Sequence, residues 1–284
     1  MITVTGAGGK TGRAIVRALA SRCARVRAWV RREPQAAELR ALGAAEVVSG
    51  NLHDPAALRA TLDGARAVYH ICPNVHPDEA GIGRAVIQAA RASGAEHFVF
   101  HSVLHPQTEA MPHHWQKLQV EAVVLESGLP FTILQPAPYM QNTLAAWAQV
   151  RASGVFTVPY PVETRLSLVD LDDVAQAAAR VLTEPGHEGA TYELVGTAGL
   201  TQMAVAAEMG RALARAVRAE AEPAEAWEQR ARAAGLGDYQ VAALLAMFHY
   251  YGRFGLWGSP TVLTWLLGRA PVTYAAFADR MAAA

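Results

Sequence analysis

From residue 1 to about residue 135 the chain repeats one rhythm. Short apolar runs at Ile2–Thr5, Arg25–Val30, Glu46–Ser49, Ala67–Ile71, His97–His101 and Phe131–Gln135 alternate with helical patterns. A β-α repeat admits few folds, because parallel neighbours need a crossover and the crossover is right-handed. Helices then cover both faces of one sheet, and the expectation is an α/β, doubly wound parallel Rossmann sheet. The helices carry the 3.6-residue apolar period, as at Ile15 and Leu19 or Val120, Val123 and Val124. Gly128 reads as a helix C-cap before the sixth strand.

After Pro136 the rhythm changes, and residues 137 to 161 are polar and aromatic. Leu166–Leu171 followed by Asp172–Leu182 reads as a return to the main sheet, with Asp172 or Asp173 placed to cap or charge a helix N-terminus. Tyr192–Val195 reads as a further strand, and Thr201–Ala284 as predominantly helical. The expected organisation is a Rossmann domain over 1–136, completed by about 165–198. A smaller, mostly helical C-terminal substrate or lid lobe takes 137–164 and 199–284.

Composition narrows the function. With 284 residues, 52% hydrophobic and 18% charged, the chain can bury a large core and a smaller lobe. Twenty-five Lys plus Arg balance twenty-five Asp plus Glu, so no net field gathers nucleic acid or anionic lipid. Val241–Met247 and Thr261–Leu267 fall short of the roughly 20 apolar residues that span a bilayer. Met1 runs straight into the first strand, so a secretion signal is not expected. Cys23 and Cys72 lie on separate elements, which suits free thiols in a reducing compartment, and a cytoplasmic location is expected.

The first strand leads into Gly6-Ala7-Gly8-Gly9-Lys10-Thr11-Gly12, which opens a helix. Glycines at such a turn let backbone N–H groups and the positive helix end face a pyrophosphate. A glycine turn without a ligand is the plain alternative. About 20 residues on, where an NAD-binding chain usually places an acid for the ribose diol, the second strand ends in Arg31-Arg32. A guanidinium matches a phosphate through two hydrogen bonds, so both arginines read as 2′-phosphate contacts and NADP(H) as the cofactor. A solvated charged turn is the alternative, and Glu33 keeps NAD(H) open. The third and fourth strands end in Asn51-Leu52 and in Cys72-Pro73-Asn74, where open α/β sheets hold ligands; Asn51 suits an adenine edge, and either segment could be a simple turn.

In order and spacing these segments resemble the NmrA-like branch of the atypical short-chain dehydrogenases, which includes type-2 quinone oxidoreductases and isoflavone-reductase-like enzymes. The likeness runs through Gly6–Gly12, Asn51–Asp54, Ser102, Lys117 with Glu121, Ser127-Gly128, Phe131–Leu134, Pro136–Asn142, Asp173-Val174-Ala175 and Leu267–Pro271. It implies that Lys117 reaches the nicotinamide ribose and that Pro136, Ala137, Pro138 and Tyr139 pass beside the nicotinamide ring. Ser102 stands where the superfamily's substrate-orienting serine would come, a strand-end serine bonded to backbone being the alternative. The superfamily's proton-donating tyrosine, four residues before the lysine, is replaced by His113. Histidine can donate a proton near neutral pH, and His114 competes for the role; both could equally line a loop or pocket wall.

His101, His105, His113 and His114 match no zinc spacing, so no metal is expected. The aromatics Tyr139, Trp147, Phe156, Tyr160, His249, Tyr250, Tyr251 and Trp257 suit a flat hydrophobic or aromatic substrate, though most are expected to be core. The function expected is NADPH-dependent reduction of a quinone, enone or imine. The alternative is a regulator that senses NADP(H) through a protein partner without turning it over. A sugar-nucleotide epimerase or dehydratase is disfavoured by the missing tyrosine. No nucleic acid or membrane partner is expected, and a homodimer is left open.

Overall fold

Each of the six apolar runs forms a strand in the computed structural model, which describes residues 1–283. In chain order the elements begin β1 (Ile2–Val4), α1 (Lys10–Ser21), β2 (Val26–Val30), α2 (Ala36–Ala41), β3 (Glu46–Ser49), α3 (Pro55–Leu62) and β4 (Ala67–His70). Next come α4 (Glu79–Ala92), β5 (His97–His101), α5 (Pro112–Glu126), β6 (Phe131–Pro136), α6 (Trp147–Ser153), β7 (Val155–Val158) and α7 (Leu171–Thr183). The chain continues through β8 (Ala190–Leu194), α8 (Gln202–Ala212), β9 (Arg218–Ala221), α9 (Ala224–Ala233), α10 (Asp238–Phe254), α11 (Thr261–Leu267) and α12 (Tyr274–Ala283).

The main sheet has seven strands in the order β3-β2-β1-β4-β5-β6-β8. Ile2 faces Val26 on one side and Ala67 on the other, both in parallel register. Because the chain winds outward from β1 to β3 and then crosses to β4, the order reverses between β1 and β4. That reversal opens the crevice at which open α/β sheets bind ligands. Helices cover both faces, so β4 and β5 are buried at every position.

The chain divides into two compact units. The first comprises Met1–Pro106, Gln116–Gln135 and Val174–Tyr192. Its core gathers Trp29, Val68, Ile82, Val86, Phe98, Phe100, Val120 and Ile133. The second comprises Gln107–Trp115, Pro136–Asp173 and Glu193–Ala284, with a core of Met140, Trp147, Phe156, Val205, Met209, Tyr274 and Phe277.

One expectation changes here. Leu166–Leu171 does not return to the main sheet as a strand. The Leu166 N–H donates to Leu200 O and the Ser167 N–H to Leu256 O, both at 2.9 Å, which ties this stretch into the second unit. The helix that follows is capped by Asp170, whose carboxylate accepts the Asp172 N–H at 2.8 Å, leaving Asp172 and Asp173 in its first turn. The span 199–284 also contains a strand: β9 pairs in parallel with β7, Val155 opposite Arg218. Its sequence, Arg-Ala-Glu-Ala, has no β-branched or aromatic residue to announce it. Among the described residues no helix is long and apolar enough to cross a membrane.

Candidate functional site

The glycine turn between β1 and α1 is built by close approach. Gly6 has φ +62°, and a Cβ there would lie 2.9 Å from the Ile71 carbonyl oxygen. At Gly12 a Cβ would come within 2.5 Å of Ala7 Cα, so the first turn of α1 rests directly on the turn's backbone. Gly9 is different: it is exposed, and a Cβ would meet only Gly6 O, at 3.5 Å. Gly9 enters α1 with extended backbone, no side-chain cap and no acidic residue in the first turn. This helix start therefore suits an anion, and its open side lies at Gly9.

Neighbouring strand ends add the remaining candidates of the first unit. Arg31 and Arg32 are exposed just past β2. Gln35, which the sequence pattern gave no reason to single out, donates Nε2 to Gly8 O at 3.2 Å and lies over the turn. Past β3, Asn51 is exposed, its Oδ1 accepting the His53 N–H at 3.1 Å, and Leu52 packs against the core. Past β4, Cys72 is buried while Pro73 and Asn74 are exposed. Burial and then the Glu79 charge push the Cys72 thiol above its ordinary range, which makes it a poor nucleophile. Cys23 and Cys72 are both free thiols.

Beyond β4 and β5 lies a buried polar cluster. Lys117 Nζ is 2.6 Å from Glu79 Oε1, with side chains 6% and 0% exposed, and it donates to His101 O at 3.0 Å. Burial pushes the Glu79 carboxyl up, and the Lys117 ammonium pulls it back. Burial, with the Lys117 charge added, pushes both His70 and His101 down to about 3, so these imidazoles are neutral. His70 Nδ1 bonds Thr5 Oγ1 at 2.8 Å, and His101 Nδ1 bonds the Tyr69 hydroxyl at 2.6 Å.

Ser102 is completely buried, and its hydroxyl donates to Glu121, which also accepts Gln135 Nε2 at 2.9 and 3.1 Å. That bond is neither the substrate contact nor the backbone bond considered from the sequence. Burial raises the Glu121 carboxyl, against the bonds from Ser102 and Gln135 and the Lys117 charge.

In the second unit, the Ala137 N–H donates to Leu194 O at 3.0 Å, and Pro138 O accepts the Val169 N–H at 3.0 Å. These bonds pin the stretch Pro136–Tyr139, with Pro136 and Ala137 buried and Pro138 and Tyr139 half-buried. His113 is half-buried on α5, one turn ahead of Lys117, rather than on a loop; His114 is buried, and the two rings meet edge to face at 6.0 Å. Of the aromatics singled out, Trp147, Phe156 and Tyr251 are buried in the core, and Tyr160 is half-buried against it. Tyr160 packs on Phe248 and Tyr251, and Trp227 stands edge-on to Phe248 at 4.8 Å. Trp257 is exposed. Among the described residues no cluster of three or more His, Cys, Asp or Glu could hold a metal ion.

An uncapped helix start at the point where a parallel sheet reverses its strand order, flanked by two exposed arginines, defines an α/β protein of the dinucleotide-binding class. Within that class the chain belongs to the NmrA-like family, whose model matches residues 1–269. It is 32% identical over 286 residues to the NAD(P)H azoreductase of Xenophilus azovorans, covering 100% of this chain and 99% of that protein. The NADPH-dependent quinone oxidoreductase of Escherichia coli, solved with NADPH, superposes with a TM-score of 0.86 at 28% identity, covering 99% of both chains. The negative transcriptional regulator Nmra shares the fold alone, with a TM-score of 0.81 at 19% identity over 98% of this chain and 94% of that one.

Proposed function

We propose that the chain is an NADPH-dependent reductase of small, electron-poor aromatic acceptors such as quinones and azo compounds. The observation that carries the reading is the uncapped glycine turn together with Arg31 and Arg32 at adjoining strand ends, which suits a pyrophosphate and a 2′-phosphate. Full-length likeness to an azoreductase and a quinone oxidoreductase supports the choice of chemistry. An enone or an imine fits the same hydride chemistry. Two free cysteines favour the cytoplasm.

The bound cofactor would supply the hydride. In this reading the first turn of α1 holds the pyrophosphate, Arg31 and Arg32 the 2′-phosphate, and the segments at Asn51-Leu52 and Cys72–Asn74 the adenosine side. Lys117 donates to the ribose beside the nicotinamide, and Pro136–Tyr139 borders the ring. Ser102 acts at one remove, fixing the Glu121 carboxylate one helical turn after Lys117. His113 serves as proton donor; the neutral, enclosed His70 and His101 do not.

Mixing the protein and NADPH with a panel of quinones and azo dyes, and following loss of the reduced-nicotinamide absorbance, tests the reading. Turnover is expected. Tight NADPH binding with no turnover on any acceptor would favour the sensing regulator instead. With a working acceptor, His113→Phe is expected to lower turnover by about 10²-fold while NADPH affinity stays near parental, the ordinary effect of losing a general acid.

A further inference from the structure

Of the twenty-five Lys plus Arg residues, only Lys10 and Lys117 are lysines. Where this chain needs a cation it uses arginine, and it departs from that habit in the glycine turn and in the second turn of α5. The two side chains differ in shape: a guanidinium is a broad planar fork, whereas an ammonium is a compact charge with three N–H donors.

The surroundings of Lys117 fit the compact group. The Glu79 carboxylate forms an ion pair with it, Oε1 at 2.6 Å, and His101 O accepts one N–H at 3.0 Å, while the Phe100 ring centroid lies 5.3 Å away. The carbonyl takes one of the three N–H donors, and the carboxylate balances the charge beside it. The carboxylate is placed with equal care. Glu79 begins α4, and α5 grips that first turn: Gln116 Oε1 accepts the Ala80 N–H at 3.3 Å and Gln116 Nε2 donates to Pro77 O at 3.4 Å. One turn along, Gly83 lets the helices close, since a Cβ there would stand 2.7 Å from Val120 Cγ1.

Stability is a weak reason to keep such a pair. Taking both charges out of water costs about as much as their attraction returns, and a well-packed apolar pair would serve the core as well or better. We propose that Glu79 is a positioning residue of the cofactor site: its carboxylate, ion-paired with the Lys117 ammonium while the His101 carbonyl takes one N–H, fixes that ammonium so that another N–H meets the ribose beside the nicotinamide. This rests on the reading of Lys117 as a ribose contact.

The test compares the parent, Glu79→Gln, Lys117→Met and the double variant, with NADPH affinity measured by calorimetry and KM and kcat measured with a working quinone. Glu79→Gln is nearly isosteric. It is expected to weaken NADPH binding by about tenfold or more, the size of one charge-assisted hydrogen bond. The loss falls on KM for NADPH rather than kcat, because the ribose contact is present before and during hydride transfer. In the Lys117→Met background, Glu79→Gln should cost no further affinity, since it acts only through the lysine.

Cofactor-free protein gives an independent signal. With ¹⁵N-labelled lysine only two side chains can report, and Lys10→Arg assigns them. The Lys117 ammonium signal should be sharp in the parent and lost or displaced in Glu79→Gln. Parental NADPH affinity in Glu79→Gln, while Lys117→Met binds weakly, overturns the proposal. So does an equal loss in both backgrounds. Unchanged affinity in Lys117→Met instead removes the underlying reading of Lys117, a result the lysine signal does not depend on. Should Glu79→Gln fold poorly, the double variant measured against Lys117→Met can still overturn the proposal, since a further loss there would show Glu79 acting apart from the lysine, and neither variant keeps an unpaired buried ammonium.

Discussion

Arg31 and Arg32 stand exposed where an acid would select NAD(H), and that placement predicts a one-sided loss. Replacing both with alanine is expected to weaken NADPH by roughly tenfold or more and NADH only slightly, because only NADPH offers them a phosphate. Calorimetric titration of both cofactors checks it; equal losses would return the cofactor choice to NAD(H). Gly9 predicts a separation of binding from folding. A side chain there meets only Gly6 O at 3.5 Å, so Gly9→Val should fold with an unchanged circular dichroism spectrum. Its branched methyls would nonetheless occupy the side from which a pyrophosphate approaches, and dinucleotide binding should be abolished. Gly6 and Gly12 would not separate the effects, since a Cβ at either drives into backbone.

The approach of α4 to α5 decides where Glu79 and Lys117 sit, and Gly83 sets that approach. Val120 is fully buried and β-branched, so it has little freedom to move aside. Gly83→Leu is expected to lower stability by about 1–3 kcal/mol, the usual cost of overpacking, and to weaken NADPH binding by displacing the Glu79–Lys117 pair. Urea denaturation and cofactor titration of the same variant measure the two effects. The late Leu267–Pro271 segment also acquires a reason. Arg269 reaches the buried Asp173 at 2.6 Å, and the other Asp173 oxygen accepts the Val272 N–H at 2.6 Å. With Arg280 on Asp170, the start of α7 and the end of the chain are joined by charge.

Protonation of enclosed histidines couples the fold to pH. His70 is held at about 3 against 6.5 unfolded, so its contribution is present above 6.5 and is lost as pH falls toward 3. The raised Glu79 and Glu121 act in the opposite sense: their contribution is full below the ordinary 4.5 and is lost as pH rises through their folded values. A single variant isolates one histidine. His70→Asn should reduce the fall of unfolding free energy with acid by one proton, about 1.4 kcal/mol per pH unit, inside that window. Urea titrations at several pH values compare the slopes, and identical slopes would sink the idea.

What could be read directly was local. The β-α rhythm announces the parallel sheet because strand and helix periods are written in neighbouring residues. The glycine turn is legible as a close-packed strand-to-helix turn because its geometry spans only Gly6 to Gly12. Lys117 also stands out in the sequence, since the chain otherwise prefers arginine. Its partner has none. Glu79 precedes Lys117 by 38 residues and faces it only because β4 and β5 lie side by side and Gly83 admits Val120. Ser102 meeting Glu121 and Gln135, β9 finding β7, and residues 166–171 leaving the main sheet are decided in the same way. Periodicity records which face of an element is apolar, whereas the meeting of distant polar side chains depends on strand order and helix separation, which exist only once the chain has folded.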